Sequence, residues 1–373
     1  MSRPLRVLHC PSPVGGYASS LVRWERELGV ESWCAVFQPG PYQYPADEVL
    51  WLPGQGRWRW ELKRWSLLWR AMRQFDVVHL NFGQTLMPTT VGSPKPTSLG
   101  GRLAAMYRRW TEMLDPPLLK RAGVKIAVSF QGDDARQGDV LRSISEFDLT
   151  GDLEPDYYTP ESDDAKRRRI ARFAKHADVI YALNPDLLRV LPAGAKFLAY
   201  PTVDFAEWTP LPREPRDVPV VLHAPTHRGI KGTRHVLAAL EQLRNEGVRF
   251  ELRLIEGKTH AEAKAMYRDA DLVVDQLILG WYGGLALETM ALAKPVVCHL
   301  RESDLQFVPE GMRAELPLIQ ADPRSIADVL REWLGPRRHE LAERGRQSRA
   351  FAQRWHDPRC IAAGVIDDYR RIV

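Results

Sequence analysis

The absences in this sequence narrow it before any motif is read. No hydrophobic run among its 373 residues is long enough to span a bilayer. The opening MSRPLRVLHC enters a strand at once and has no apolar signal-peptide core. Cysteine is scarce: Cys10, Cys34, Cys298 and Cys360 form no CxxC pair. Three of them fall in or beside expected strands, which argues for buried, reduced thiols and a cytoplasmic protein. No histidine–cysteine spacing suggests zinc, so no metal is expected. The dinucleotide fingerprint GxGxxG is absent, as are a glycine–serine elbow, internal repeats and low-complexity tracts. Excess charge is small as well. A net +5 with pI near 9.0 favours anionic ligands or membrane surfaces and gives no argument for nucleic acid.

What is present is an alternation of strands and helices. Leu5 to Cys10 is a short apolar strand, followed by the glycine loop PSPVGGY, a helix from about Tyr17 to Leu28 and a strand from Ser32 to Phe37. That order opens a doubly wound α/β domain. Gly15-Gly16 has two readings, a backbone approach to a ligand or a tight turn needing positive φ. Gly56 to Phe75 is a basic, aromatic helix, with Trp58, Leu62, Trp65, Leu68, Trp69 and Met72 at helical spacing and Arg59, Lys63, Arg64, Arg70 and Arg73 elsewhere on its surface. Such a helix either packs on its own sheet or lies against a membrane surface.

Asp76 to Asn81 and Lys125 to Phe130 are further strands, separated by a glycine- and proline-rich loop (Met87 to Gly101) and a basic helix near Arg102 to Leu114. Gly138 to Pro160 reads as acidic and irregular. A basic helix from Ala165 to His176 then leads to the strand Val179 to Ala182. The proline-rich stretch from Tyr200 to Pro219 is the best domain boundary. Beyond it a second series begins with the strand Val220 to His223, the helix Gly232 to Asn245, the strand Phe250 to Ile255 and the helix Ala261 to Ala270. Two tandem series of this kind imply two doubly wound, Rossmann-like domains facing a central cleft.

Chemistry concentrates in the second series. HAPTHRGIKGT (His223 to Thr233) follows a strand and opens a helix, so Arg228, Lys231, glycine amides and the helix dipole can converge on a diphosphate. The alternative is two solvated surface cations. Ala270 to Cys298 reads strand, loop, helix, strand, with Gly283-Gly284 at the helix start and Glu288 one turn on in an otherwise apolar helix. A carboxylate there must reach water or be satisfied by donors, and a ribose offers two adjacent hydroxyls.

These residues resemble the nucleotide-sugar half of the GT-B-fold glycosyltransferases, in particular the retaining group called family 4. That family has an Arg…Lys-Gly element after the first strand of this domain and a later E-G-F-G-x-x-x-x-E-A-M-A-x-G-x-P-V-V segment. This chain has G-W-Y-G-G-L-A-L-E-T-M-A-L-A-K-P-V-V from Gly280 to Val297. The resemblance implies a nucleotide diphosphate sugar as donor, a ribose role for Glu288 and backbone donor contacts at Tyr282, Gly283, Gly284 and Leu285. It further implies diphosphate roles for Arg228 and Lys231 and a donor contact from Gly15-Gly16. It implies no cofactor, and an acceptor that is a small molecule, a glycan or lipid-linked.

The final segment FAQRWHDPRCIAAGVIDDYRRI resembles the family's last helix, which crosses back to the first domain. The expected domains are therefore 1–200 with a C-terminal helix of about 356–373, for the acceptor, and 201–355, for the donor. Two positions depart from the pattern. Gly280 stands where the family has a glutamate that touches the sugar, leaving Asp275 or the Trp281 indole as substitutes. Gln131-Gly-Asp-Asp-Ala-Arg136 stands where a histidine motif is usual. Gln131 can hydrogen-bond but cannot act as a base. Asp133 and Asp134 are open either as acid–base groups or as ion-pair partners of Arg136, and His79 reads as a packed strand histidine. Alternatives of the same fold are an epimerase, a hydrolase and an inactive nucleotide-sugar-binding homologue.

Overall fold

Val7, Leu8 and Cys10 are wholly buried although successive residues of a strand face opposite ways, so their strand has a layer on both sides. In the computed structural model, which describes residues 3–40, 42–87, 98–154, 156–211 and 216–373, that strand is β1, Arg6–Cys10. Most of the expected Met87 to Gly101 loop, and residues 212–215 of the proline-rich boundary, lie outside the described residues. The chain divides into two compact units. One comprises Met1–Val140, Tyr158–Pro201 and Pro358–Val373; the other comprises Leu141–Tyr157 and Thr202–Asp357.

The first unit is built on a seven-stranded parallel sheet. Its strands are β1, β2 (Glu31–Val36), β3 (Glu48–Val49), β4 (Val77–Asn81), β5 (Lys125–Phe130), β6 (Val179–Ala182) and β7 (Lys196–Phe197), in the order β3-β2-β1-β4-β5-β6-β7. Leu8, Val78, Leu80, Val128 and Phe130 face a layer that includes Leu67, Leu68 and Ala71 of the helix Arg57–Gln74 and Ile170 and Phe173 of the helix Pro160–Ala174. The opposite face carries Val7, Val77, Ala127 and Tyr181 against Val365, Ile366 and Tyr369 of the helix Pro358–Ile372.

That second face holds a buried polar spine. His79 sits between the Tyr369 hydroxyl (2.5 Å from Nδ1) and Ser129 Oγ (2.6 Å from Nε2), and Tyr17 OH meets Ser129 Oγ at 2.8 Å. Burial holds the His79 imidazole well below its usual pKa. It is a packed strand histidine, as its sequence setting suggests.

The second unit carries a five-stranded parallel sheet of β8 (Val220–His223), β9 (Glu251–Leu254), β10 (Leu272–Val274), β11 (Val296–Cys298) and β12 (Ile319–Gln320), ordered β12-β11-β10-β8-β9. Val236, Leu240 and Leu243 of the helix Thr233–Asn245 and Leu330 and Trp333 of the helix Ile326–Leu334 pack with Val221, Leu272 and Val274. The helix that starts at Gly284 ends at Ala291, and Ala293 turns to φ 57° before Lys294-Pro295. The region from Gly138 to Pro160 is more ordered than its composition suggests. Gly138–Ile144 is helical because the Asp163 carboxylate, from another helix, accepts the amides of Gly138 and Asp139.

Candidate functional site

In the second unit the carboxyl ends of β8, β9 and β10 supply the candidate donor-binding residues. His223 closes β8 with no exposure. Its Nδ1 meets the Val274 carbonyl at 2.8 Å and its Nε2 meets Thr233 Oγ1 at 2.9 Å. Burial pushes its pKa down to about 4, so the ring is neutral, donating to Val274 and accepting from Thr233. It thereby ties the start of the Thr233–Asn245 helix to β10. Between them runs the turn Arg228–Lys231, capped by His227 Nδ1 accepting from the Ile230 amide at 3.2 Å. Gly232 then takes φ 69°, and a Cβ there would lie 3.0 Å from Leu277 Cβ.

Lys231 turns inward. Its Nζ donates to Asp275 Oδ1 at 2.5 Å, and Asp275, fully buried, accepts the Gly283 amide on its other oxygen at 2.8 Å. The Cβ position of Gly283 is 3.3 Å from Lys231 Nζ. An ammonium thus sits against the first residue before the Gly284–Ala291 helix, where the backbone amides of the opening turn have no intrahelical acceptor. Space is open beside Gly284, where an added Cβ would meet nothing within 4 Å. Leu285, next along, is half-buried. This combination of ammonium, amides and dipole is suited to an anion.

Arg228 is not gathered into that arrangement. Its guanidinium makes a bidentate pair with Glu256, just beyond β9, at 2.8 and 2.6 Å, and is 60 % exposed. The two cations expected to work together have different carboxylate partners, one solvated and one buried. Glu288 is neither loose in solvent nor unpaired: its Oε1 lies 2.7 Å from His260 Nε2. The carboxylate raises the His260 pKa, and the His260 ring lies 5.8 Å from Trp208, over which Lys264 sits at 4.2 Å. His260 gave no signal in the sequence, because its link to Glu288 spans twenty-eight residues across two helices.

The loop before Gly283 is packed tightly. Tyr282 is buried with its hydroxyl 2.7 Å from His356 Nε2, and Trp281, 1 % exposed, has its ring 4.4 Å from the Tyr282 ring. Gly280 adopts φ 74°, and a Cβ would lie 2.6 Å from Arg301 Cβ. Arg301 is itself buried and paired with Asp304 at 2.7 Å. A glutamate at 280 has no place in this packing. Of the two substitutes named from the sequence, the Trp281 indole is buried and Asp275 is engaged with Lys231.

The segment Leu141–Tyr157, far away in sequence, lies against the same turn. Asp152, buried, takes two bonds from Arg234 (2.7 and 2.8 Å) and one from His235 (3.0 Å). His227 Nε2 lies 3.2 Å from a Glu154 carboxylate oxygen, and Gly229 approaches so closely that a Cβ would be 1.8 Å from the Asp152 carbonyl oxygen.

In the first unit, Gly15 and Gly16 take φ 64° and 67° ahead of the helix Tyr17–Glu27, and an added Cβ on Gly16 would strike the Tyr44 ring at 2.7 Å. Gly15 and Gln131 are brought together: the Gly15 Cβ position is 3.7 Å from Gln131 Oε1. Gln131 is positioned by Asn184, whose Nδ2 donates to the Gln131 carbonyl at 2.6 Å. Asp134 faces inward. Its carboxylate accepts the amides of Gln131 (3.0 Å) and Gly132 (2.7 Å), and burial raises its pKa to about 6. Asp133 takes the ion-pair alternative, with Arg136 at 2.9 Å, while Arg136 also binds Asp186 at 2.6 Å. Among the described residues no group of three or more His, Cys, Asp or Glu is placed to hold a metal ion, and no helix is long and apolar enough to cross a membrane.

No known family profile matches the chain, and no curated protein matches it. Solved structures do. Sucrose-phosphate synthase from Thermosynechococcus elongatus is similar over 99 % of both chains, with 15 % identity and a TM-score of 0.62. HepE from Anabaena in complex with UDP-glucose is similar over 99 % of this chain and 100 % of its own, at 12 % identity and TM-score 0.59. UDP-N-acetylglucosamine 2-epimerase is similar over 98 % of this chain and 95 % of its own, at 12 % identity and TM-score 0.50. At such identities the likeness establishes the fold: two parallel α/β units of the GT-B type.

Proposed function

We propose that this chain transfers a sugar from a nucleotide diphosphate sugar to an acceptor, with retention at the anomeric carbon and without a metal. The observation that carries the reading is the buried Lys231–Asp275 pair at 2.5 Å, set against the Gly283 amide where the Gly284–Ala291 helix begins. Asp275 holds the ammonium from one side, and the remaining Lys231 protons and the helix amides are donors for a diphosphate. As the bond from the anomeric carbon to the phosphate oxygen breaks, charge grows on the departing nucleoside diphosphate, and those donors stabilise it. The acceptor oxygen forms the new bond to the anomeric carbon and passes its proton to the departing phosphate oxygen. Glu288, positioned by His260, accepts the ribose hydroxyls, and Arg228 exchanges Glu256 for phosphate. Gly15 and Gln131 contribute the first unit's contacts to substrate, whereas Asp134 shapes the loop beneath Gln131. Two of the similar structures, a sucrose-phosphate synthase and a UDP-glucose complex, favour a hexosyl donor. Buried free thiols at Cys10, Cys34 and Cys298 favour the cytosol.

The test is a thermal-shift screen over nucleotide sugars followed by turnover with the ligand that binds, since a ligand specific for the folded form raises its stability. Lys231→Ala is expected to lower turnover by on the order of a hundredfold, by analogy with the loss of one oxyanion donor. Glu288→Gln is expected to weaken the nucleotide by about tenfold, through loss of a charge-assisted bond. Near-normal turnover in Lys231→Ala removes the assigned role. The epimerase likeness keeps a second reading in view, isomerisation or hydrolysis of the same donor. Donor incubated without acceptor separates them: an isomerised or fully hydrolysed sugar favours the second. A donor that binds and is never consumed, whatever the acceptor, points to a binding protein, in keeping with the packed Gly280.

A further inference from the structure

Two neighbouring helices of the first unit turn apolar side chains to solvent. The Arg57–Gln74 helix buries Leu67, Leu68 and Ala71 and leaves Trp58, Leu62 and Trp69 on its outer face, 63, 60 and 51 % exposed. On the helix Leu99–Thr111 the outward set is Leu103, Met106 and Trp110, 55, 65 and 71 % exposed. The helices touch: Trp65 Nε1 donates to the Tyr107 hydroxyl at 2.7 Å, which donates to Glu61 at 2.9 Å. Outward apolar residues at i, i+3, i+4 and i+7 spacing on adjacent helices are a patch that water does not favour.

The charge on these two helices is predominantly positive. The first helix carries six cations and one carboxylate, Glu61, which Arg64 and Tyr107 already engage; the second carries three cations and no carboxylate. The acidic residues beside Leu62, Asp47 and Glu48, are paired with Arg26 and Arg70. Two of the exposed indoles have a guanidinium at their side, Arg59 at 5.4 Å from the Trp58 ring and Arg73 at 4.7 Å from the Trp69 ring. A ring that is apolar in body and polar at its edge, next to a cation, matches the boundary between acyl chains and phosphate headgroups. Leu62, Leu103 and Met106 have no flat face to stack on a base, so a single-stranded nucleic acid fits less well. Trp58 and Trp69 stand roughly 17 Å apart along an outward helix surface, at 1.5 Å per residue. A fluid surface meets such a convex row without needing a shaped complement.

We propose that these two helices dock the first unit onto an anionic phospholipid surface, with the tryptophans and aliphatic side chains at the acyl boundary and the arginines on headgroup phosphates. The proposal stands whether or not the chain transfers a sugar. Sedimentation of the full chain with phosphatidylcholine vesicles, with and without phosphatidylglycerol, tests it. Pelleting is expected with the anionic vesicles only. Arg59→Ala/Arg73→Ala is expected to weaken it by roughly thirtyfold, from the contribution of each surface cation to anionic-lipid binding. Trp58→Ser/Trp69→Ser and Met106→Ser/Trp110→Ser are each expected to weaken it too, with the melting temperature unchanged because the altered side chains are exposed. No pelleting with anionic vesicles overturns the proposal. So does pelleting that the tryptophan variants leave intact, or tight oligonucleotide binding that the same variants abolish.

Discussion

Replacing Lys231 by methionine isolates the Lys231–Asp275 pair, because methionine keeps an unbranched stem and removes only the charge. The Asp275 carboxylate has no exposure and the Lys231 side chain is 11 % exposed, with the pair at 2.5 Å. Removing one partner of a buried pair typically costs about 3–5 kcal/mol, chiefly because the other charge is left without compensation. Here Asp275 keeps the Gly283 amide, so about 3 kcal/mol, the low end of that range, is expected for Lys231→Met. Adding Asp275→Asn removes the stranded charge while its carboxamide oxygen still accepts from Gly283, and should recover about 2 kcal/mol of that loss. A chain with two units need not unfold in one step. The assay is therefore hydrogen exchange in urea on peptides covering β10 and the Gly284–Ala291 helix, which reads the opening of this region alone. A Lys231→Met variant within about 1 kcal/mol of the parent, or a double variant no better than it, would refute the pair as the element that holds this loop.

Three further outcomes follow from other contacts. Gly280→Glu should lose about 2 kcal/mol or more, read by thermal unfolding, because φ 74° is unfavourable to a side chain and Arg301 fills the space. If it gains activity without that loss, the packing argument fails. Glu288 raises the folded-state pKa of His260 above the ordinary 6.5, so the pair's stabilisation is complete below that value and fades as pH rises through the raised one. Parent and His260→Gln should thus differ most near pH 5.5, by about 0.5–1 kcal/mol for a partly exposed pair, and least near pH 9; a flat difference contradicts the pairing. Gly229→Ala should push the Asp152 carbonyl aside and speed proteolysis within Leu141–Tyr157, at a cost of about 1–3 kcal/mol; unchanged cleavage would count against the close approach.

The strands that pack on both faces were legible in the sequence because burial on both sides leaves a nearly continuous apolar run, as in Val77–Asn81 and Val220–His223, each interrupted or ended only by buried polar side chains. The two-residue strands β3, β7 and β12 at or near the sheet edges were not, since two residues make no pattern. Lys231, Gly283 and Glu288 stood out because glycine at a helix start and acid in an apolar helix are locally costly choices. Their partners' roles did not: Asp275 stood out only as a substitute for the sugar-contacting glutamate, and His260 not at all. Asp275 and His260 are ordinary residues made special only by the fold that brings them within 2.5 and 2.7 Å of Lys231 and Glu288. Arg228 shows the converse: its spacing from Lys231 suggested a shared ligand, while the nearest carboxylate, Glu256, belongs to a different strand end. Likewise, the contacts of Asp152 with Arg234 and His235 span more than eighty residues and have no local signature.

The helix Pro358–Ile372 belongs to the first unit, and its Tyr369, Val365 and Ile366 cover Val7, Val77 and Ala127. A ribosome therefore delivers the whole second unit before it delivers the cover for the first sheet. Until then one side of that sheet, with His79 lacking its Tyr369 hydroxyl, has only part of its layer. The portion made first is the portion finished last, so a chain halted just before Pro358 would hold a mature second unit beside an apolar surface still open to chaperones or to aggregation.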